Sequence, residues 1–283
     1  MSKAMPKTGA NTSANAEPAT PSRQVGHKAV ARVVSDIAAM GGEPVWILAD
    51  LVAPAATPVT RIRGLFAGMA AAAKKWDLGI LGGDTAEGDT LELHVFGIGR
   101  IARGTAVLRS GARPGDLVYV TGALGGAYLP GCRHHLLFQP RLAAGQFLAD
   151  RRHATAMMDL SDGLAADLPR LLDASKRGVR LEAAAIPISR TARKTSQPLA
   201  HALGDGEDFE LLFTIAPEKR MLFEVIWQTR FPRLRATCIG EILANPKRRI
   251  LQLAGGKTVP LRPGGYQHFS KTPSARPHSK ADH

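Results

Sequence analysis

The sequence predicts an α/β chain, with helices layered on strands in two successive units. Three observations carry this. Short apolar runs of strand type, such as Val45–Leu51 and Phe209–Ile215, alternate with stretches of helical spacing. Glycine- and aspartate-rich turns fall at the junctions between them. The chain has 283 residues, enough for two modest units with a sizeable buried core.

The elements follow in order. Residues 1–24 are rich in Ser, Thr, Ala, Pro and Asn without periodicity, and are expected to form a disordered tail. Gly26–Met40 places Ala29, Val33, Val34 and Ile37 at helical spacing, and Gly41-Gly42 ends that helix. Val45–Leu51 reads as a strand. Val59–Trp76 reads as a second helix, with Ile62, Leu65, Phe66, Met69 and Ala73 on one face. Leu78–Leu81 is a buried strand that runs into Gly82-Gly83-Asp84-Thr85, and Leu91–Arg100 is another strand. After the turn cluster Ser110–Asp116 come a strand at Leu117–Thr121, a short helix at Arg141–Ala149 and a strand at Ala156–Leu160. Ser161-Asp162-Gly163 opens a helix over Leu164–Ala174. Val179–Ala183, Phe209–Ile215 and Ala236–Ile242 read as strands, with a helix at Glu218–Thr229. The expected division is 25–123 for the first unit and 124–269 for the second, with 270–283 a loose basic tail.

Composition narrows the function. Hydrophobic residues make up 45% and charged residues 22%, ordinary for a soluble globular chain. No apolar run approaches the roughly 18–20 residues of a membrane helix, so no membrane partner is expected. The N-terminus lacks the apolar centre of a secretory signal. Cys132 and Cys238 are far apart, which suits a reducing cytoplasm. The net charge of +13 sits mostly in the body and favours anionic partners, unless it reflects a general bias toward Arg. Aromatics are only 5% and do not interleave with basic stretches, so nucleic acid is not an expected partner.

Four acidic turns recur where strands meet turns or helices: Ser35-Asp36, Gly83-Asp84, Asp159-Leu160-Ser161-Asp162-Gly163, and Gly204-Asp205-Gly206-Glu207-Asp208. Carboxylates there can face a crevice and hold Mg²⁺, a hard ion that takes oxygen ligands and bridges to phosphates. Neighbouring glycines let backbone N–H groups approach those phosphates. Each motif also has an ordinary structural use. Ser161-Asp162-Gly163 can cap the helix after it, and Gly82-Gly83-Asp84 can be a turn. Asp36 is harder to set aside, because it lies among apolar residues in a helical stretch. Cys132, His134 and His135 have poor metal spacing and read as a surface loop.

The order of five segments resembles the thiamine-monophosphate kinase family, of the PurM-like two-domain fold. They are GHKAVARVVSDIAAMGGEP, GILGGDTAEG, LRSGARPGDLVYVTGALG, MDLSDGLAADL and LGDGEDFELLFTI, within residues 26–269. The resemblance implies an N-terminal ATP-binding domain, a C-terminal α/β domain, and transfer of the γ-phosphoryl group of ATP to thiamine monophosphate. It implies several Mg²⁺ ions, held by Asp36, Asp84, Asp159 and Asp162. It places Ser161 and Arg109 at the ATP phosphates, the Gly83-Asp84 pair against the nucleotide, and Glu207 and Tyr266 at the thiamine end. Phe66 falls near the adenine, with core packing the other use of that side chain. A homodimer is implied as well. Two family segments, a strand ending in Gly-Asp-Asp and a Thr-Asp stretch leading to a His, are not found before Gly26. The other expectation is therefore a nucleotide-binding relative without catalysis.

Overall fold

The computed structural model describes residues 20–262 and 264–265. In the first unit, α1 (Ser22–Ala38) and α2 (Val59–Lys75) cover one face of a four-stranded sheet. Its strands are β1 (Glu43–Ala53), β2 (Gly79–Gly82), β3 (Thr85–Glu87) and β4 (Glu92–Arg100). Long β1 pairs in parallel with β2 and β3, and antiparallel with β4. Its side chains alternate between faces, as a strand requires. Ile47, Ala49 and Leu51 point at the helices, into clusters that include Val30, Val34, Leu65 and Met69. Trp46 and Leu48 stand on the opposite face beside their β4 partners Ile98 and Phe96, and all four are exposed, Phe96 by 59%.

Helix α1 begins four residues earlier than its apolar spacing predicts, so residues 22–24, expected in the tail, are helical. Pro21 precedes the helix with a φ of −58°, already suited to helical entry. Residues 1–19 lie outside those described. The two helices cross at van der Waals distance through glycines. A Cβ on Gly26 would fall 2.0 Å from the Leu65 carbonyl oxygen, and one on Gly68 would fall 2.1 Å from that of Arg23.

The second unit is a seven-stranded sheet. Its strands are β5 (Leu117–Thr121), β6 (Ala154–Asp159), β7 (Gly178–Glu182), β8 (Leu211–Ile215), β9 (Ala236–Leu243), β10 (Arg249–Gln252) and β11 (Thr258–Pro260). The spatial order is β11-β10-β7-β9-β5-β8-β6. Helix α5 (Leu164–Ser175) covers one face, where Val118, Val120 and Leu212 meet Leu164, Leu168 and Leu171. Helices α4 (Leu142–Asp150) and α7 (Arg220–Arg230) cover the other, where Tyr119 and Phe213 meet Leu148, Phe223 and Trp227. Short helices α3 (His134–Leu137) and α6 (Pro198–Gly204) lie in the connections. Strand β5 pairs with β8 and β9, so a boundary after residue 123 would cut it from its sheet. The strand pairing favours a division between β4 and β5.

The units meet along α1, which packs on α3, α4 and β6. Gly145 of α4 lies against the end of α1, where a Cβ would come 2.0 Å from the Ala38 carbonyl oxygen. Ala31, Phe138 and Phe209 form a small apolar cluster on the same seam. The Phe138 and Phe209 rings stack with centroids 3.8 Å apart.

These contacts predict the cost of a single methyl group. Gly68→Ala gains helix propensity, worth about 1 kcal/mol. It also drives its Cβ into rigid backbone on α1, where overpacking costs about 1–3 kcal/mol. Urea unfolding should show a net loss of stability, and a variant as stable as the parent would contradict the close crossing.

Candidate active site

The site begins where α1 passes the end of β6. Ser35, in the last turn of α1, is buried and donates its hydroxyl to Asp159 Oδ2 at 2.7 Å. Asp159 ends β6 and is only 4% exposed. Burial pushes its carboxyl above the ordinary range, while the Ser35 hydrogen bond and the Arg109 charge pull it back. Asp36 follows on α1 and keeps contact with solvent, yet protein crowds its carboxyl. That crowding, and then the charge of Asp159, push its pKa up to about 6 against the pull of Arg32 and Arg109.

Beyond Asp159 the chain turns through Ser161, Asp162 and Gly163 into α5. Asp167, fully buried in the first turn of α5, holds this turn. Its Oδ2 accepts from the backbone N–H of Asp162 at 2.9 Å and of Gly163 at 3.1 Å. Burial pushes its own carboxyl up to about 6. Arg170 bridges Asp167 and Asp162, meeting Asp162 Oδ2 at 2.7 Å. The turn is also bound to the loop before β8. Glu207 N–H donates to the Ser161 carbonyl at 2.7 Å, and Phe209 N–H to that of Leu160 at 2.8 Å. Glu207 and Phe209 adopt φ of 57° and 49°, a region that costs bulky L-residues energy and often marks functional sites. The Glu207 carboxylate forms an ion pair with Lys28 of α1.

Gly83 and Asp84 lie at the rim of the first sheet. Gly83 has a φ of 155°, and a Cβ there would come 1.8 Å from the Ala49 carbonyl oxygen. Only glycine fits so close a passage. Asp84 N–H donates to Asp50 Oδ1 at 2.9 Å, and Asp84 Oδ1 accepts from Thr85 N–H at 2.7 Å.

The fold thus brings together Asp36, Asp159, Asp162 and Arg109, with Ser161 and Glu207 joined to them through the stitched turns. Gly83 and Asp84 stand on the first sheet, and Phe66 is 38% exposed on α2. Tyr266 lies outside the described residues. Among the described residues, no three His, Cys, Asp or Glu side chains close into a metal cage. His134 and His135, expected in a surface loop, lie in α3 and donate to the Asp208 and Ala127 carbonyls at 2.8 and 2.7 Å.

Four residues at the site escaped the sequence reading: Lys28, Asp50, Asp167 and Arg170. Asp50 had a signal, as the lone acid in the apolar strand VWILADL. The donors suit Mg²⁺: they are carboxylate oxygens, and burial raises the pKa of two of them, Asp36 and Asp159.

The comparisons agree with this architecture. Residues 7–101 match the AIR synthase related protein N-terminal domain, and residues 113–249 match the corresponding C-terminal domain. Fold and site therefore define a two-domain protein of the AIR synthase-related class. Thiamine-monophosphate kinase of Rhodopirellula baltica is 40% identical over 207 residues, covering 71% of this chain and 64% of the relative. Thiamine-monophosphate kinase of Escherichia coli is 33% identical over 271 residues, covering 86% and 79%. The structure of AaThiL complexed with AMPPCP and TMP superimposes with a TM-score of 0.74 at 28% identity, covering 89% of this chain and 82% of that one. The chain belongs to the thiamine-monophosphate kinase family.

Crowding of the Asp36 carboxyl by protein, and then the Asp159 charge beside it, set a pH dependence. The folded pKa of Asp36 is raised from 3.8 to about 6, so the folded state loses stability as pH rises through that window. Asp36→Asn removes this penalty. In metal-free buffer the variant should gain in urea midpoint over the parent at about pH 8, and much less at about pH 4. An equal effect at both pH values would contradict the coupling.

Proposed function

We propose that the protein transfers the γ-phosphoryl group of ATP to the phosphate of thiamine monophosphate, giving thiamine diphosphate and ADP. A phosphate oxygen of thiamine monophosphate attacks the γ-phosphorus, and the bond to the β–γ bridging oxygen breaks. The observation that carries this reading is the meeting of Asp36 from the first unit with Asp159 and Asp162 from the second on one seam. The ligands of AaThiL, AMPPCP and TMP, and the names of the curated relatives support the same substrates.

The demand on the protein is to hold two polyanions in line, and positioning with charge neutralisation meets most of it. Asp36, Asp159 and Asp162 would hold Mg²⁺ ions, with Asp84 adding a ligand from the first sheet. Bound Mg²⁺ supplies the positive charge that lets both phosphate chains approach. Arg109 faces the phosphates with a guanidinium, whose planar donors suit phosphate oxygens. The Ser161 hydroxyl donates to the nucleotide, and the glycine backbone at Gly83 admits it closely. Phe66 lies by the adenine. Glu207 takes the thiamine end.

The open face of the first sheet, with Trp46, Leu48, Phe96 and Ile98, is where a second copy docks to form a homodimer. Cys132 and Cys238 are free thiols, in keeping with a cytoplasmic enzyme.

Two experiments test these points. Purified protein with Mg²⁺, ATP and thiamine monophosphate should form thiamine diphosphate, and Asp162→Asn should lower the rate by two or more orders of magnitude, roughly the loss seen when a charge-stabilising group is removed. Nucleotide binding without product from the parent protein would leave a non-catalytic relative instead. Sedimentation should show a dimer that Phe96→Glu converts to a folded monomer. A monomeric parent would rule the dimer out.

A further inference from the structure

We propose that Glu207 and Tyr128 form a receptor for the cationic ring of the substrate, and that Lys28 occupies it when no substrate is bound. The proposal rests on the kinase reading above and assigns Tyr128 and Lys28 to its acceptor site.

The Lys28 ammonium pairs with Glu207 Oε2 and also lies over the Tyr128 ring, 6.0 Å from its centroid. One cation therefore meets a carboxylate and an aromatic face at once. That combination recognises organic cations, through charge on one side and the ring quadrupole on the other. The three residues come from separate parts of the chain: α1, the loop after β5, and the loop before β8. Each is held in place. The Tyr128 ring stacks on His135 with centroids 4.9 Å apart, and His135 Nδ1–H donates to the Ala127 carbonyl at 2.7 Å. Glu207 is fixed by its backbone bond to Ser161 and by its left-handed φ of 57°. The Lys28 and Glu207 side chains are 20% and 18% exposed, so the pair is sheltered but reachable.

Thiamine monophosphate carries its thiazolium cation between an aminopyrimidine and a short arm that ends in the phosphate. The thiazolium can replace the Lys28 ammonium between Glu207 and Tyr128, so Glu207 does not lose its counter-charge. Lys28, Arg32 and Asp36 follow one another at four-residue intervals along α1. Lys28 and Asp36 are thus about 12 Å apart along the helix axis. The released ammonium stays on the face that leads to the phosphate end of the site, where its charge is useful. The exchange makes substrate binding specific for a ligand that is cationic at the ring and anionic at the tail.

The test is calorimetric binding to the full chain in the presence of AMPPCP. The ligands are thiamine monophosphate, thiamine, and the phosphate of the neutral thiophene isostere of thiamine. Tyr128→Leu should weaken thiamine monophosphate about three- to thirty-fold, the range of a cation–π contact. It should leave the neutral isostere and AMPPCP unchanged, and Tyr128→Phe should behave as the parent. Lys28→Met should tighten thiamine, which has no phosphate to miss the ammonium. Equal loss for the cationic and neutral ligands in Tyr128→Leu, or weaker thiamine binding in Lys28→Met, overturns the proposal while leaving the kinase reading intact. A parent protein that binds AMPPCP but not thiamine monophosphate overturns both.

Discussion

The hydrogen bond from Ser35 to Asp159 joins the two units at the point where the chemistry is gathered. A carboxylate at the end of a buried strand is costly unless a donor reaches it, and the donor here comes from the other unit. The C-terminal end of α1 therefore cannot drift from β6 without orphaning Asp159. The glycine contacts at Gly145 and Gly41 with α1 and α4 serve the same constraint, because they allow helix backbones to touch. With the seam fixed, Asp36 is fixed too, one residue beyond Ser35 and near enough to Asp159 for the Asp159 charge to resist its ionisation.

A second constraint acts within the second unit. The turn 160–163 has no regular partner strand, yet its backbone groups are satisfied on both sides. Asp167 binds its N–H groups from below, and the 207–209 segment binds its carbonyls. The price of this is backbone strain at Glu207 and Phe209, which the Phe138 stack and the Lys28 ion pair help to offset. Strain held by packing on three sides is a way to keep two loops in register around the polar side chains they carry. Arg170 completes the arrangement by giving Asp162 a counter-charge of its own.

Much of this was legible in the sequence, for a physical reason that differs by element. Strands β5, β6, β8 and β9 were found within about two residues, because each carries a short run of apolar and β-branched residues bounded by turns. Strands β3, β10 and β11 and helix α6 were not read. They are short, and β3 is wholly exposed, so pairing with a neighbour rather than local pattern makes them strands. Asp36, Asp159, Ser161 and Asp162 stood out as polar residues at apolar boundaries. Asp167 and Arg170 did not, since acid and base three residues apart on a helix look like an ordinary surface pair. Only the fold shows that Asp167 is fully buried under the turn.

Lys28 shows the limit most clearly. In sequence it is one basic residue in an amphipathic helix, indistinguishable from a solvated lysine. In the fold it faces Glu207 and Tyr128, which topology brings from two distant loops. Its neighbours explain why a helix at the seam would carry it. The same helix carries a hydroxyl for Asp159, the Asp36 carboxylate next to it, and a cation that neutralises Glu207. A helix can present all three toward one seam because residues seven or eight apart, two turns on, return to the same side. The seam is thus built on α1 both for packing and for charge, and a change to either alters the other.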